Sequence, residues 1–143
     1  MKKNFLEKKL LVKLQIFIEK YGTDALLIAL KNYEDSHLFY TCKTKSSTKQ
    51  IPIYSINYIE IFGHKIIIHT TNGDYSKYGT LKNEYALLKE MGFIKCNQSF
   101  LIPVDKITEI KGNNVVITTG NSFPLSRSCA PGVIQAYAKN NLK

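Results

Sequence analysis

The chain has 143 residues, of which 44% are hydrophobic, and it carries a formal net charge of +9 at pH 7. This length supports one sizeable core rather than two full domains, and no apolar run approaches the roughly 20 residues that cross a bilayer. Three widely spaced cysteines without a Cys-x-x-Cys pair support neither a disulfide framework nor a zinc knuckle. We therefore predict a soluble cytoplasmic protein without metal or cofactor.

The N-terminal residues have the periodicity of two helices. Apolar residues recur every three or four positions over residues 4–20, which is typical of an amphipathic helix. Gly22 ends this helix, and Thr23 is suited to begin a second helix that runs to about Tyr33. We predict a helical hairpin over residues 1–36. Its apolar side chains have three candidate partners, namely the chain's own sheet, a second copy of the chain and a regulatory protein.

The remaining residues, 37–143, change to short β-branched and aromatic runs. Asn72-Gly73 and Gly112-Asn113 suit the positive φ of hairpin turns, so neighbouring strands can pair antiparallel. Short helices are predicted at 81–91 and from Ser128 or Cys129 to Tyr137. This part is predicted to be a mostly β domain with small helices. The predicted strands span residues 37–41, 51–54, 58–62, 66–71, 73–78, 107–110, 115–119 and 122–125.

The positions of several residues in these runs predict a structural role for their side chains. Cys96 follows apolar neighbours and is predicted to pack as a small hydrophobe, while His69 is predicted to face one side of a sheet rather than bind metal. Strand aromatics are more often sheet core than platforms for stacked bases. The aromatic residues predicted for the core are Tyr54, Tyr58, Phe62, Tyr75, Tyr78, Phe93 and Phe100.

A polar segment at residues 95–99, Lys-Cys-Asn-Gln-Ser, lies between two apolar segments and needs a partner outside the chain. In a basic protein the favoured partner is a polyanion, because Lys and Arg attract phosphates while amides read base edges. The net charge alone is explained equally well by a solvated surface without a partner. The segment therefore favours double-stranded DNA.

A series of motifs in fixed order resembles the LytTR family of bacterial DNA-binding domains. The motifs are Tyr58-Ile59-Glu60, Gly63-His64-Lys65, Gly79-Thr80-Leu81, Phe93-Ile94-Lys95-Cys96 with Ser99-Phe100, and Leu125-Ser126-Arg127. The resemblance covers about residues 37–138 and implies an elongated fold of three antiparallel sheets whose loops enter successive major grooves. About 36 residues precede it, too few for the receiver domain that many members carry, so control by aspartyl phosphate within the chain is not expected.

The resemblance also implies which residues touch DNA. Base contacts come from the turn at residue 64, from the strip after Cys96 and from the segment around Arg127. Arg and Lys donate to guanine, and Asn or Gln pair with adenine. The predicted base contacts are His64, Lys65, Asn97, Gln98, Arg127 and Ser128. The predicted phosphate contacts are Lys95 and Lys77.

Enzymatic functions are not supported by the sequence. It contains no GxSxG elbow, P-loop or HExxH motif, and its acidic residues lack the spacing of an acid–base pair. We predict a sequence-specific transcription regulator that reads promoter repeats, with a homodimer on DNA and a regulator bound at the N-terminal helices as further partners. The alternative is a protein-interaction module with an incidental basic surface.

Overall fold

The computed structural model describes residues 2–141, with side chains from residue 4 onward. The chain divides into two compact units, Met1–Leu38 and Phe39–Lys143. The first unit contains α1 (Lys2–Tyr21) and α2 (Thr23–His37), so the predicted helical hairpin is confirmed. The second helix continues four residues past its predicted end. The assignment of residues 1–36 and 37–143 to separate functional domains stays a prediction.

The helices of the first unit expose much of their apolar surface. Leu14, Phe17 and Ile18 of α1 are half-buried, as are Ala25 and Leu26 of α2. A two-helix hairpin has no enclosed interior, so many large apolar side chains stay in solvent. The exposed ones are Phe5, Leu6, Leu10, Leu11, Val12, Ile16, Tyr21, Leu27, Ile28, Leu30 and Tyr33. No helix within residues 2–141 is both long and apolar enough to cross a membrane.

Over its described residues, 39–141, the second unit contains ten short strands and two α-helices. Eight of the strands lie where the sequence predicts strands, and the remaining two, β6 and β7, are only three and four residues long. The strands are β1 (Phe39–Lys43), β2 (Thr48–Pro52), β3 (Ile56–Phe62), β4 (Lys65–Thr70), β5 (Gly73–Tyr78), β6 (Phe93–Lys95), β7 (Phe100–Pro103), β8 (Ile107–Lys111), β9 (Asn114–Ile117) and β10 (Ser122–Pro124). The helices are α3 (Leu81–Leu88) and α4 (Ala130–Asn140).

These strands form three antiparallel sheets, as predicted. The first pairs β1 with β2, the second has the order β5-β4-β3-β7-β6, and the third has the order β10-β9-β8. In the central sheet β3 pairs with both β4 and β7, which places the β3–β4 turn and the β6–β7 loop on neighbouring strands. The sheet order therefore brings together two segments that lie more than 30 residues apart in sequence.

Two apolar clusters hold these sheets together. The first contains Ile59, Ile66 and Leu88, and the second contains Cys96 and Phe123. Neighbouring residues of β7 point to opposite sides of the sheet, so Leu101 belongs to the first cluster and Ile102 to the second. One four-residue strand thus contributes to both cores.

The Gly79-Thr80-Leu81 motif joins the central sheet to α3. A Cβ atom on Gly79 would lie 2.8 Å from Ile66 Cδ1, so a larger residue would displace a side chain of the core. The side chain of Thr80 accepts a hydrogen bond from Asn83 N at 3.2 Å and caps the helix. The motif therefore fixes where α3 starts and how closely it approaches the sheet.

A buried polar group links α3 to two strands. Glu84 is only 2% exposed, and its carboxylate accepts hydrogen bonds from Lys77 Nζ at 2.9 Å and from the Tyr40 hydroxyl. Burial, and then the bond to Glu84, raise the pKa of Tyr40, which therefore remains a protonated donor. Lys77 is thereby engaged inside the fold, as the partner of the Glu84 carboxylate.

The aromatic prediction was wrong for three residues. Tyr78 is 81% exposed, Phe62 is 78% exposed and Tyr54 is 55% exposed. A β-type run shows that side chains alternate between two faces, but it does not show which face is covered. Phe93 is buried as predicted. The other members of the set, Tyr58, Tyr75 and Phe100, are half-buried.

Replacing Lys77 with Met should leave the buried Glu84 carboxylate without its cation. We expect the free energy of unfolding to fall by about 3–5 kcal/mol, because one partner of a buried ion pair is removed. Urea denaturation measures this loss. The matched control is Lys82→Met on exposed α3 surface, which should change stability little; equal effects of the two substitutions would contradict the structural role of Lys77.

Candidate nucleic-acid interface

The first predicted contact segment is the tight turn between β3 and β4. Gly63 adopts a φ of 64°, a left-handed conformation that favours glycine and lets the chain reverse within two residues. His64 and Lys65 follow directly and are both exposed. The carbonyl of His64 accepts a hydrogen bond from Gly79 N at 2.8 Å, which ties the turn to the end of β5. The histidine is therefore presented by a fixed backbone.

The second segment is the loop between β6 and β7. Cys96 N donates to Phe100 O at 3.3 Å and closes the loop, while the Cys96 side chain is fully buried beneath it. Gln98 lies at the tip and is exposed. Among residues 4–141 its amide makes no hydrogen bond to the protein, so its donor and acceptor are both available to a ligand.

Asn97, the other predicted reader in this loop, is used differently. Its Oδ1 accepts a hydrogen bond from Ser99 N at 2.7 Å, and its Nδ2 donates to Pro124 O at 2.5 Å. The side chain is half-buried. Both polar atoms of Asn97 are therefore engaged within the fold, one with its own loop and one with β10.

The third segment connects β10 to α4. The Ser126 carbonyl accepts hydrogen bonds from Cys129 N at 3.1 Å and from Ala130 N at 2.9 Å, which begins the helical turn. Arg127 and Ser128 lie between these residues and are exposed. The turn thus holds their backbone while their side chains face solvent.

Backbone hydrogen bonds join the three segments into one continuous strip. Ile61 N donates to Ser99 O at 2.7 Å, which links β3 to the Gln98 loop. Ser126 N donates to Cys96 O at 2.9 Å, which links the same loop to the Arg127 segment. The Gln98 loop therefore lies between the other two segments. The structure brings all six predicted base contacts into this strip, and their contact with DNA stays a prediction.

Not all of the positive charge is available at the strip. Lys77 is paired with Glu84, and Lys106 Nζ donates to Tyr54 O and Ile56 O, both at 2.8 Å. Lys95, in contrast, lies directly before the Gln98 loop and is half-buried. Of the two predicted phosphate contacts, Lys77 is therefore already paired with a carboxylate of the protein, whereas Lys95 lies beside the Gln98 loop. The sequence does not reveal this difference.

A half-buried histidine on the face of the central sheet opposite the first apolar cluster is held by protein partners. His69 Nε2 lies 3.1 Å from Glu60 Oε2, and its Nδ1 lies 3.0 Å from Asp74 Oδ1. The imidazole also stacks on Tyr58, with ring centroids 4.2 Å apart. In the part of the chain that the structure describes, no group of three His, Cys, Asp or Glu side chains is arranged to hold a metal ion.

Comparison with known proteins is consistent with this arrangement. Residues 46–137, more than half of the chain, match the family model described as the LytTr DNA-binding domain, which is a family of DNA-binding domains and not of enzymes. A solved LytTr DNA-binding domain of a methyl-accepting/DNA response regulator from Bacillus cereus shares the fold, with a TM-score of 0.58 and 22% identity over 68% of this chain and 94% of that one. No curated protein sequence shows a significant match.

The Cys96 thiol should react slowly in the folded protein. Burial raises its pKa to about 12, so almost none of it is the reactive thiolate at pH 8. We expect iodoacetamide to label Cys96 slowly in native protein and quickly in urea, as measured by mass spectrometry of peptides. Because labelling needs local opening, raising the pH from 7 to 8 should leave Cys96 largely unlabelled; native labelling as fast as in urea would contradict its burial.

Proposed function

Because this chain belongs to the LytTr DNA-binding domain family, we propose that it is a cytoplasmic transcription regulator that recognises paired promoter repeats in double-stranded DNA. The observation that carries this proposal is the continuous strip formed by the His64 turn, the Gln98 loop and the Arg127 segment. These three segments present exposed side chains suited to base edges. The proposal includes entry of these loops into successive major grooves, as the resemblance to the family implies.

Within this proposal, each exposed side chain has a chemical role. The Arg127 guanidinium can donate two hydrogen bonds to O6 and N7 of guanine, and the Gln98 amide can pair with N6 and N7 of adenine. His64 contacts a base from the turn, and Ser128 contacts one from the Arg127 segment. Lys65, the first residue of β4 and also predicted as a base contact, is placed in this proposal at the phosphate edge beside the turn. Positions next to the readers, such as Lys95, fix the register on phosphates.

We place Asn97 in a supporting role rather than in direct base reading. Its amide already bonds to Ser99 N and Pro124 O, and these two bonds fix the loop that carries Gln98. Breaking them for a base contact would cost about as much as the new contact gains. Asn97 therefore holds the loop in position, and Gln98 contacts the base.

We further propose that the helical hairpin pairs with a second copy of the chain on DNA. Its large exposed apolar side chains need cover, and paired repeats would bring two copies side by side. The hairpin is also the observation that favours the second candidate function, in which it docks a regulatory protein and the basic surface is incidental. Salt distinguishes the two functions, because phosphate contacts weaken steeply with salt and apolar docking does not.

The decisive experiment is selection of bound sequences from a random pool of DNA duplexes with the intact protein. We expect one enriched motif, repeated at a fixed spacing. Enrichment of single motifs without a repeat would contradict the pairing of two copies. A pool without any enriched motif would contradict sequence-specific binding and favour the protein-interaction module.

Replacing Gln98 or Arg127 with Ala should remove one base-reading contact. We expect each substitution to cost roughly 1–3 kcal/mol on the selected site and to leave binding to random DNA nearly unchanged. Fluorescence anisotropy with both duplexes measures the difference. Lys95→Ala is the matched comparison, since loss of a phosphate contact should weaken both duplexes alike and lower the salt slope by about one. Equal losses on both duplexes for Gln98→Ala would contradict base reading.

Replacing Asn97 with Ala should act through Gln98. We expect weaker binding to the selected site but the same preferred bases, because the loop is loosened while the reader is kept. The double variant Asn97→Ala/Gln98→Ala should bind about as weakly as Gln98→Ala, because coupled residues are not additive. Binding assays on the three variants complete the cycle. Additive losses, or a changed base preference in Asn97→Ala, would show that Asn97 reads a base itself.

A further inference from the structure

Two exposed aromatic rings flank Lys65 at one end of the central sheet. Phe62 at the end of β3 is the cross-strand partner of Lys65, and Lys65 is in turn the partner of Tyr78 at the end of β5. Directly opposed residues of an antiparallel sheet project from the same face. Phe62, Lys65 and Tyr78 therefore form one row across three strands, the Phe62–Lys65–Tyr78 row.

This row lies on the face of the central sheet opposite the first apolar cluster. In the next rank along the strands, Ile61 pairs with Ile66, and both are buried on the opposite face. All three members of the row are exposed, and the two rings are the most exposed aromatic side chains of the second unit. Two rings of this size in solvent are unfavourable unless a partner covers them.

The row is continuous with the proposed reading strip. His64 and Gly63 form the turn between Phe62 and Lys65, and Gly79, which follows Tyr78, donates its backbone N–H to His64 O. A duplex that contacts the His64 side chain would therefore lie close to both rings.

We propose that the Phe62–Lys65–Tyr78 row packs on the sugar–phosphate edge of the groove that the His64 turn enters. The rings cover deoxyribose, and the Tyr78 hydroxyl and the Lys65 ammonium bond to phosphate oxygens. This inference rests on the proposed function and adds Phe62 and Tyr78, which neither the family motifs nor the charge pattern assign. The row thus determines how deeply the turn enters the groove.

Charge and composition favour DNA over a protein as the occupant. The centre of the row is a lysine, and lysine is depleted in protein–protein interfaces, whereas it is a common phosphate ligand. An apolar partner would have to desolvate the Lys65 ammonium between the two rings without offering it a counter-charge. A phosphate backbone supplies both the charge for the ammonium and sugar surface for the rings.

The test uses the full-length protein and the duplex that it selects from the random pool. Phe62→Ala and Tyr78→Ala should each weaken binding about tenfold, the equivalent of losing one well-packed contact, with an unchanged salt slope because no cation is removed. Lys65→Ala should lower the slope by about one. The control is Tyr54→Ala, an exposed tyrosine that precedes β3, whose start lies about 20 Å along the strand from Phe62.

Each outcome either supports or overturns the contact between the row and DNA. Losses in both ring variants, with Tyr54→Ala binding as tightly as the unmodified protein and thermal midpoints unchanged, support the contact. Tight binding by both ring variants, while Gln98→Ala is impaired, overturns the row and leaves the proposed function intact; a concurrent loss of self-association would assign the rings to a protein partner. Losses of equal size in Tyr54→Ala also overturn it. Failure of the unmodified protein to select any sequence removes the proposed function itself.

Discussion

The pairing of β3 with β7 is the contact on which the rest of the second unit depends. Leu101 pairs with Ile59 and Phe100 pairs with Glu60, and the ladder continues outside the strand through the bond from Ile61 N to Ser99 O. A hairpin as short as β6–β7 is not stable by itself in water, so its attachment to β3 is what gives the loop a defined place. On its other side β3 pairs with β4, and this pairing fixes the β3–β4 turn.

The residues predicted to contact DNA divide by whether the fold already uses their side chains. Lys77 and Asn97 form bonds within the protein, whereas Gln98 and Arg127 extend from backbone that is held by other groups. Preorganised backbone lowers the entropy lost on binding, because only the side chain itself must be ordered. Gln98 and Arg127 therefore combine a fixed backbone with a side chain that can adapt to its ligand.

Much of the architecture could be predicted from sequence, because local signals and motif order agreed. The helical hairpin, the turn at Gly63 and the three sheets all follow from periodicity, glycine placement and the family motifs. The exposure of Phe62 and Tyr78 could not be predicted, because strand alternation does not reveal which face of a sheet is covered. The bonds of Asn97 were equally hidden, since Pro124 is 27 residues away in sequence.

Among the described residues, the exposed side chains of Gln98 and Arg127 make no hydrogen bond or ion pair within the protein. This has an evolutionary consequence. Exposed residues that carry no packing or hydrogen-bonding load tolerate substitution with little loss of stability. Under the proposed function, single changes at these two positions would alter the preferred operator and leave the fold intact. A change at Asn97 would instead remove the bonds to Ser99 N and Pro124 O that hold the loop, so the proposed route to a new operator runs through the two exposed positions and not through Asn97.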